Sequence, residues 1–230
     1  MSPSKTRAWA IVVVAAGFAS AAIGGGVGTA ILLEAPGNAA ADLVYAGSMP
    51  VGEGLRRLVE SREAASRHAG RPRAQRDLAM VLLAAAERAG SGELAQEAEA
   101  RFAEALTLAP ADPVAWSMIP HAALWQGDGE RALEWLRAGI RVVPYAPEYA
   151  PHRLAILVGS RRPLEGVLEE AFERDLVTAL QAFPVPTAQL LRDQGVLDWV
   201  RQRFAMRAEV SRLLARAVEA LEEAEEREHR

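Results

Sequence analysis

The residues that most often carry chemistry are few in this chain, and their spacing favours structural roles. The four histidines include no pair at the i, i+4 spacing by which one helix holds a metal ion, and the chain has no cysteine. Neither a nucleophile elbow nor a phosphate-binding loop is present, and adjacent acids such as Glu169 and Glu170 have the spacing of a solvated helix surface. The sequence therefore predicts no catalytic residue, no metal site and no cofactor, and we interpret the protein as not an enzyme.

The composition favours helices packed on helices. Half of the residues are hydrophobic but only 6% are aromatic, alanine and leucine dominate, and long alternating runs of β-branched residues are missing. The net charge of −4 leaves no basic face of the kind that binds phosphate backbones. We therefore expect an all-α fold that does not bind nucleic acid.

An uncharged segment near the N-terminus predicts a membrane anchor. Residues 9–33 carry no charge, and a helix of this length spans roughly 37 Å, enough for the hydrocarbon core of a bilayer. Lys5 and Arg7 precede the segment, whereas the first charges after it are Glu34 and Asp42. The positive-inside rule then predicts a single-pass protein of the inner (cytoplasmic) membrane. Its first eight residues would be cytoplasmic, and its C-terminal domain would be periplasmic or otherwise extracytoplasmic.

Two alternatives for this segment stay open. A cleaved signal peptide would use the small residues of 39–41 as its cleavage site, although the apolar run is longer than usual for such a peptide. Small residues also recur every fourth position at Ser20, Gly24 and Gly28, a spacing that lets two helices approach closely in lipid. This stripe allows a homodimer, or packing of the predicted transmembrane helix within a larger membrane complex.

The rest of the chain divides into three parts. Residues 34–54 are rich in small residues and proline without a clear period, and are interpreted as a linker. Helical periodicity begins at Leu55, and a helical domain is expected over 55–206. Residues 207–230 predict a charged amphipathic helix that caps the domain. Glycine and proline mark the predicted helix ends at 70–72, 90–92, 110–113, 127–129, 144–147, 159–163, 184–186 and 195.

An internal repeat organises the middle of the domain. The segment that ends at Pro110 recurs 34 residues later in the segment that ends at Pro144, which defines repeat units of about 72–110 and 112–144. The second unit resembles the tetratricopeptide repeat family. Its matching residues are Trp116 in the first helix, Gly127 at the turn, Ala132 and Leu136 in the second helix, and Pro144 at the end.

The resemblance implies a right-handed antiparallel helical solenoid that holds peptides or protein surfaces, and it implies no chemistry. The first helix of the first unit is about two turns longer than the family pattern. Pro120 also departs from that pattern, and we expect it to kink or break its helix.

In the tetratricopeptide family the first helices of successive units line a concave groove. The matching of residues predicts a partner-binding groove in which Arg76 offers a fork for a carboxylate, with Trp125 at the edge. The tryptophans Trp125 and Trp135 are alternatively core residues. The other predicted groove residues are Met80, Leu83, Ser117, His121 and Leu124.

Two functions remain open from the sequence. The first is a membrane-anchored adaptor that binds a protein partner in a bacterial envelope assembly, of the type that serves secretion, polysaccharide export or cytochrome maturation. The second is a structural accessory subunit of a membrane complex, packed through its transmembrane helix. The groove favours the first function, and the small-residue stripe favours the second.

Overall fold

Most of the described residues are helical. The computed structural model describes residues 29, 32–45, 48, 50–69, 71–160 and 162–228, and this part of the chain contains no β-strand. The all-α prediction is therefore confirmed for it. The helices are α1 (Asn38–Tyr45), α2 (Glu53–Ala69), α3 (Pro72–Ala89), α4 (Gly92–Leu108), α5 (Pro113–Trp125), α6 (Gly129–Val142), α7 (Ala150–Gly159), α8 (Val167–Ala182), α9 (Pro184–Asp193), α10 (Leu197–Arg203) and α11 (Ala208–Glu228).

Local sequence sets the helix ends where the breakers predict them. Gly90 ends α3 with a φ of 64°, a conformation that costs other residues more than glycine. The Ser91 hydroxyl accepts a hydrogen bond from the first turn of α4, and the Asp128 carboxylate does the same for α6. The Asp112 carboxylate accepts from two backbone amides of α5. These caps satisfy donors that a helix start otherwise leaves unpaired.

Of the two outcomes expected at Pro120, a kink or a break of the helix, the break does not occur. Helix α5 runs from Pro113 to Trp125 with Pro120 buried inside it. A proline in this position removes one backbone hydrogen bond. Helix α5 is capped by Asp112 and packs on α3, α4, α6 and α7, so tertiary contacts on several sides offset that local loss.

The helices pack in sequence order and form a row. Each helix from α1 to α8 contacts the next one, and α1, α3, α5 and α7 also contact one another in series. The core is continuous from α6 to α11, with a second cluster among α3, α4 and α5 around Phe102 and Ile119. Ala132 and Leu136 of the predicted repeat are both buried. The odd-numbered helices therefore lie side by side, and they place the candidate site described below.

The interpretation of residues 34–54 as a linker is wrong for most of that segment. Helix α1 packs on α2 and α3, and its Ala40, Ala41 and Val44 are buried against Leu58 and Val81. The chain just before α1 also lies close to α2, since a Cβ added at Gly37 would lie 2.9 Å from the Leu58 Cα atom. The buried stripe of α1 covers little more than one turn, which is too short for periodicity to be recognised in the sequence.

The C-terminal helix packs on the end of the helical domain. Helix α11 buries Val210, Leu214, Ala217 and Leu221, and it packs on α8 and α9. Helix α10 ends at Arg203 and α11 begins at Ala208, and Phe204 between them turns its ring into the core.

None of the helices in the described part of the chain is both long enough and apolar enough to cross a membrane. The predicted transmembrane helix at 9–33 lies outside the described residues, except for residues 29, 32 and 33. Ser20, Gly24 and Gly28 also lie outside them.

Candidate interaction groove

A half-open cavity of about 370 Å³ lies on the row of odd-numbered helices. Helices α3, α5 and α7 form its walls, and the end of α1 closes one side. Its lining is mainly apolar or aromatic, with Glu87 and Arg88 as the charged residues. We call this cavity the groove. Its lining residues are Val44, Tyr45, Ser48, Met80, Leu83, Ala84, Glu87, Arg88, Val114, Met118, His121, Tyr149 and His152.

The structure brings several predicted site residues together in the groove. Met80 and Leu83 line it from α3, and His121 lines it from α5. Trp125 lies at its edge with 45% of its surface exposed, and its indole Nε1 donates to the Glu87 carboxylate at 3.2 Å. Trp125 is thus not a core residue. Trp135, in contrast, is partly buried and donates to Glu99 at 2.8 Å, as the core alternative predicts.

Arg76 does not offer the free fork that the sequence predicted. Its Nη1 lies 2.9 Å from the Asp112 carboxylate, and its Nε donates to the Tyr45 hydroxyl at 2.9 Å. The guanidinium also lies over the Tyr45 ring, 5.6 Å from the centroid. Arg76 therefore braces α1 and the start of α5 against α3, and its donors are already engaged beside the groove.

Ser117 and Leu124 face away from the groove. Ser117 is buried beside a small crevice between α5 and α6, and Leu124 packs on the main core next to Gly159. The stripe of α5 that faces the groove is Val114, Met118 and His121, spaced four and three residues apart. Matching to the repeat pattern placed the α5 residues one position out of phase, apart from His121.

The groove also joins two histidines that are distant in sequence. The rings of His121 on α5 and His152 on α7 have their centroids 5.7 Å apart and lie nearly perpendicular, at 86°. The Nε2 atom of His121 is buried and has no hydrogen-bond partner, whereas His152 is exposed at the mouth of the groove. Burial, and to a smaller extent the neighbouring His152, lower the pKa of His121 to about 3. Side chains packed around the His152 ring partly desolvate it and lower its pKa, although the residue is exposed at the mouth of the groove. Both rings are therefore neutral at physiological pH.

The histidine pair predicts a loss of stability in mild acid. A histidine with a lowered pKa in the folded state contributes full stability above its unfolded pKa of about 6.5, and this stability is lost as the pH falls further. We expect His121 to lower the free energy of unfolding by about 1–2 kcal/mol between about pH 7.5 and pH 5. Urea unfolding followed by circular dichroism at both pH values measures this loss. His121→Phe should remove most of the difference, and an equal slope in that variant would contradict the assignment.

Ten of the thirteen residues that line the groove were missed in the sequence, and four of them show why. Tyr45 lies in the supposed linker, Tyr149 and His152 lie beyond the recognisable repeats, and Met118 was lost through the phase error on α5. Helical spacing could not have identified the correct face, because Ser117, His121 and Leu124 are spaced four and three residues apart, as are Val114, Met118 and His121.

No group of three or more His, Asp or Glu side chains within the described residues is arranged to hold a metal ion. Comparisons with protein-family models, curated proteins and solved structures find no match to this chain.

Proposed function

We propose that this protein is a membrane-anchored, tetratricopeptide-like adaptor whose groove holds an apolar segment of a protein partner at the bacterial envelope. The observation that carries the proposal is the half-open cavity on the row of α1, α3, α5 and α7. A peptide that lies across this row would contact successive helices, as peptides do in tetratricopeptide domains.

The chemistry of the groove supports an apolar occupant. Met80 and Met118 supply flexible thioether side chains that adapt to different shapes, a common property of peptide-binding surfaces. The charges of Glu87 and Arg88 are of opposite sign, and the neutral histidines add none. A strongly charged peptide would find little complementary charge, whereas an apolar side chain would lose water contact on entering.

The N-terminal side of the domain supports a firm connection to the predicted anchor. The backbone carbonyl of Glu34 accepts a hydrogen bond from Arg62 at 2.7 Å, and the Glu34 carboxylate lies 3.3 Å from Arg71. Ala40 and Ala41 are buried in the domain. Cleavage at 39–41 would cut through this packed segment, which favours an anchor over a cleaved signal peptide.

The membrane topology has a direct test. Alkaline phosphatase is active only outside the cytoplasm, so a fusion after residue 228 should be active in a bacterial host. The matched fusion of green fluorescent protein should be dark. A fluorescent protein fusion together with an inactive phosphatase fusion would show that the orientation is the reverse of the proposed one. A mature protein that begins near Ala40 would show that the segment is a cleaved signal peptide and not an anchor.

Blocking the groove should abolish partner capture. Ala84 lines the groove and is partly exposed within α3. Ala84→Glu therefore places a longer, charged side chain in the cavity, and glutamate, like alanine, is a good helix former. We expect proteins that co-purify with the wild-type chain from detergent extracts to fall at least tenfold. Quantitative mass spectrometry of the captured proteins measures this change.

The matched control is Ala85→Glu. Ala85 is the next residue on α3 and is also partly exposed, but it does not line the groove. Equal loss with both variants would refute the groove as the binding surface. If capture survives Ala84→Glu but is lost when Gly24 and Gly28 become leucine, the structural-subunit alternative replaces the adaptor.

A further inference from the structure

The groove gathers four side chains whose donor atoms are typical ligands of soft metal ions. His121 and His152 provide imidazoles from α5 and α7, and Met80 and Met118 provide thioethers from α3 and α5. Met118 and His121 are three residues apart and share one face of α5. Three helices that are separate in sequence thus direct this set to one cavity.

The spacing of the two imidazoles fits a shared ion. With metal–nitrogen bonds of about 2 Å, two imidazoles that bind one ion keep their ring centroids within roughly 6 Å of each other. The centroids of His121 and His152 are 5.7 Å apart. His152 is exposed and can turn at the mouth of the groove, while His121 is held beneath it.

The unpaired nitrogen of His121 is a second and independent observation. Its Nε2 atom is buried without a hydrogen-bond partner, and such an atom in a native protein often marks the place of a water or an ion. The other titratable or charged residues that line the groove are Tyr45, Glu87, Arg88 and Tyr149. Glu87 is hydrogen-bonded to Trp125. The lowered pKa values keep both imidazoles in the neutral form that binds metal.

We propose that His121, His152, Met80 and Met118 bind one Cu(I) ion in the groove. Thioether sulfur selects Cu(I) among the biological metals, and imidazole also suits copper. A hard ion such as Mg²⁺ or Ca²⁺ would require oxygen ligands that this set does not supply. The proposal uses the groove of the adaptor but does not require that a protein partner binds there.

The test is a titration of the purified full-length protein with Cu(I) under anaerobic conditions, in competition with the chromophoric chelator bicinchoninate. Replacing His68 and His229 by alanine leaves His121 and His152 as the only histidines. We expect this background protein to remove one equivalent of Cu(I) from the chelator and to show sulfur as well as nitrogen neighbours by X-ray absorption.

Two sets of variants decide the ligands. His121→Phe and, separately, the exposed His152→Phe should each weaken Cu(I) binding by at least a hundredfold. Met80→Leu with Met118→Leu conserves volume and should weaken it by at least tenfold, whereas Met206→Leu, which changes a methionine that is 95% exposed and outside the groove, should have no effect. Absence of Cu(I) uptake by the background protein, or unchanged affinity in the histidine or the double methionine variants, would overturn the proposal. Because no partner protein is present, failure here leaves the adaptor function untouched.

Discussion

Replacing Asp77 by alanine is expected to lower the free energy of unfolding by about 3–5 kcal/mol. Asp77 on α3 and Arg62 on α2 form an ion pair in which the Nε–Oδ2 distance is 2.6 Å, and both side chains are essentially inaccessible to water. Without Asp77 the guanidinium of Arg62 stays charged inside the protein, because arginine cannot release its proton under ordinary conditions. The loss would be a large part of the stability of a typical domain.

The effect should extend to the N-terminal segment. Arg62 also donates to the Glu34 carbonyl and to the Asn38 side chain, while Tyr45 at the end of α1 donates to Asp77. Burial, and then the proximity of Asp77, raise the pKa of Tyr45, so its hydroxyl remains a donor. The Arg62–Asp77 pair therefore fastens the first helix to the domain, and Asp77→Ala should also expose α1 to proteolysis.

The matched control is Glu60→Ala on the same helix as Arg62. Glu60 pairs with Arg56 at 3.1 Å, but both side chains are about 60% exposed. Exposed pairs of this kind contribute about 1 kcal/mol or less. Urea unfolding followed by circular dichroism compares the two variants, and similar small losses in both would contradict the role assigned to Asp77.

The second large effect is expected at Asp175 on α8. Its carboxylate lies 2.9 Å from Nε of Arg153 on α7, and Nη2 of Arg153 donates to the other oxygen at 3.0 Å. The 2.9 Å contact is ionic, since neither atom has the alignment of a hydrogen bond. Arg153 also donates to the carbonyls of Val143 and Ala146, which fixes the connection between α6 and α7. Asp175→Ala should therefore cost about 3–5 kcal/mol in thermal or urea unfolding.

Removing Asp175 and removing Arg153 should not lower the free energy of unfolding equally. Burial raises the pKa of Asp175 despite the opposing effect of Arg153 and Arg174. In Arg153→Met the carboxyl group keeps only Arg174, whose Nε lies 3.3 Å away, and it can take up a proton. In Asp175→Ala the buried guanidinium of Arg153 cannot become neutral. We therefore expect Asp175→Ala to be the more damaging change. A carboxyl group whose pKa is raised in the folded state favours folding at low pH, where it is protonated, and disfavours it as the pH rises. The free energy of unfolding of Arg153→Met should therefore fall further below that of the wild type as the pH rises. The reverse order, or no dependence on pH, would contradict this account of the pair.

The sequence predicts the helices because their ends are determined locally. Residues such as Gly90, Ser91, Asp112 and Asp128 act through their own backbone geometry or through donors within three residues, and that information lies in a short stretch of chain. The alternation of these breakers with apolar stripes also indicates the all-α class. Helix α1 was missed because its buried stripe has only three members.

The candidate site is harder to predict because it depends on contacts between distant residues. The residues of each buried ion pair are 15 or 22 positions apart, and a charged residue in a helix gives no local sign that its partner will be buried with it. His121 and His152 similarly meet only because α5 and α7 lie side by side. On α5, a shift of one residue in the repeat alignment rotates the face by about 100°, which is enough to exchange Ser117 for Met118.

The central claim, that a protein partner lies in the groove, is tested most directly by site-specific photo-cross-linking in the native cells. A photoreactive benzophenone side chain would replace Arg88, which is exposed and lines the groove, or Arg141, which is exposed on α6 away from it. We expect irradiation to link one protein species to position 88 and none to position 141, with the linked species lost in the Ala84→Glu background. Cross-linking of the same protein at both positions, or only at position 141, would contradict the adaptor groove.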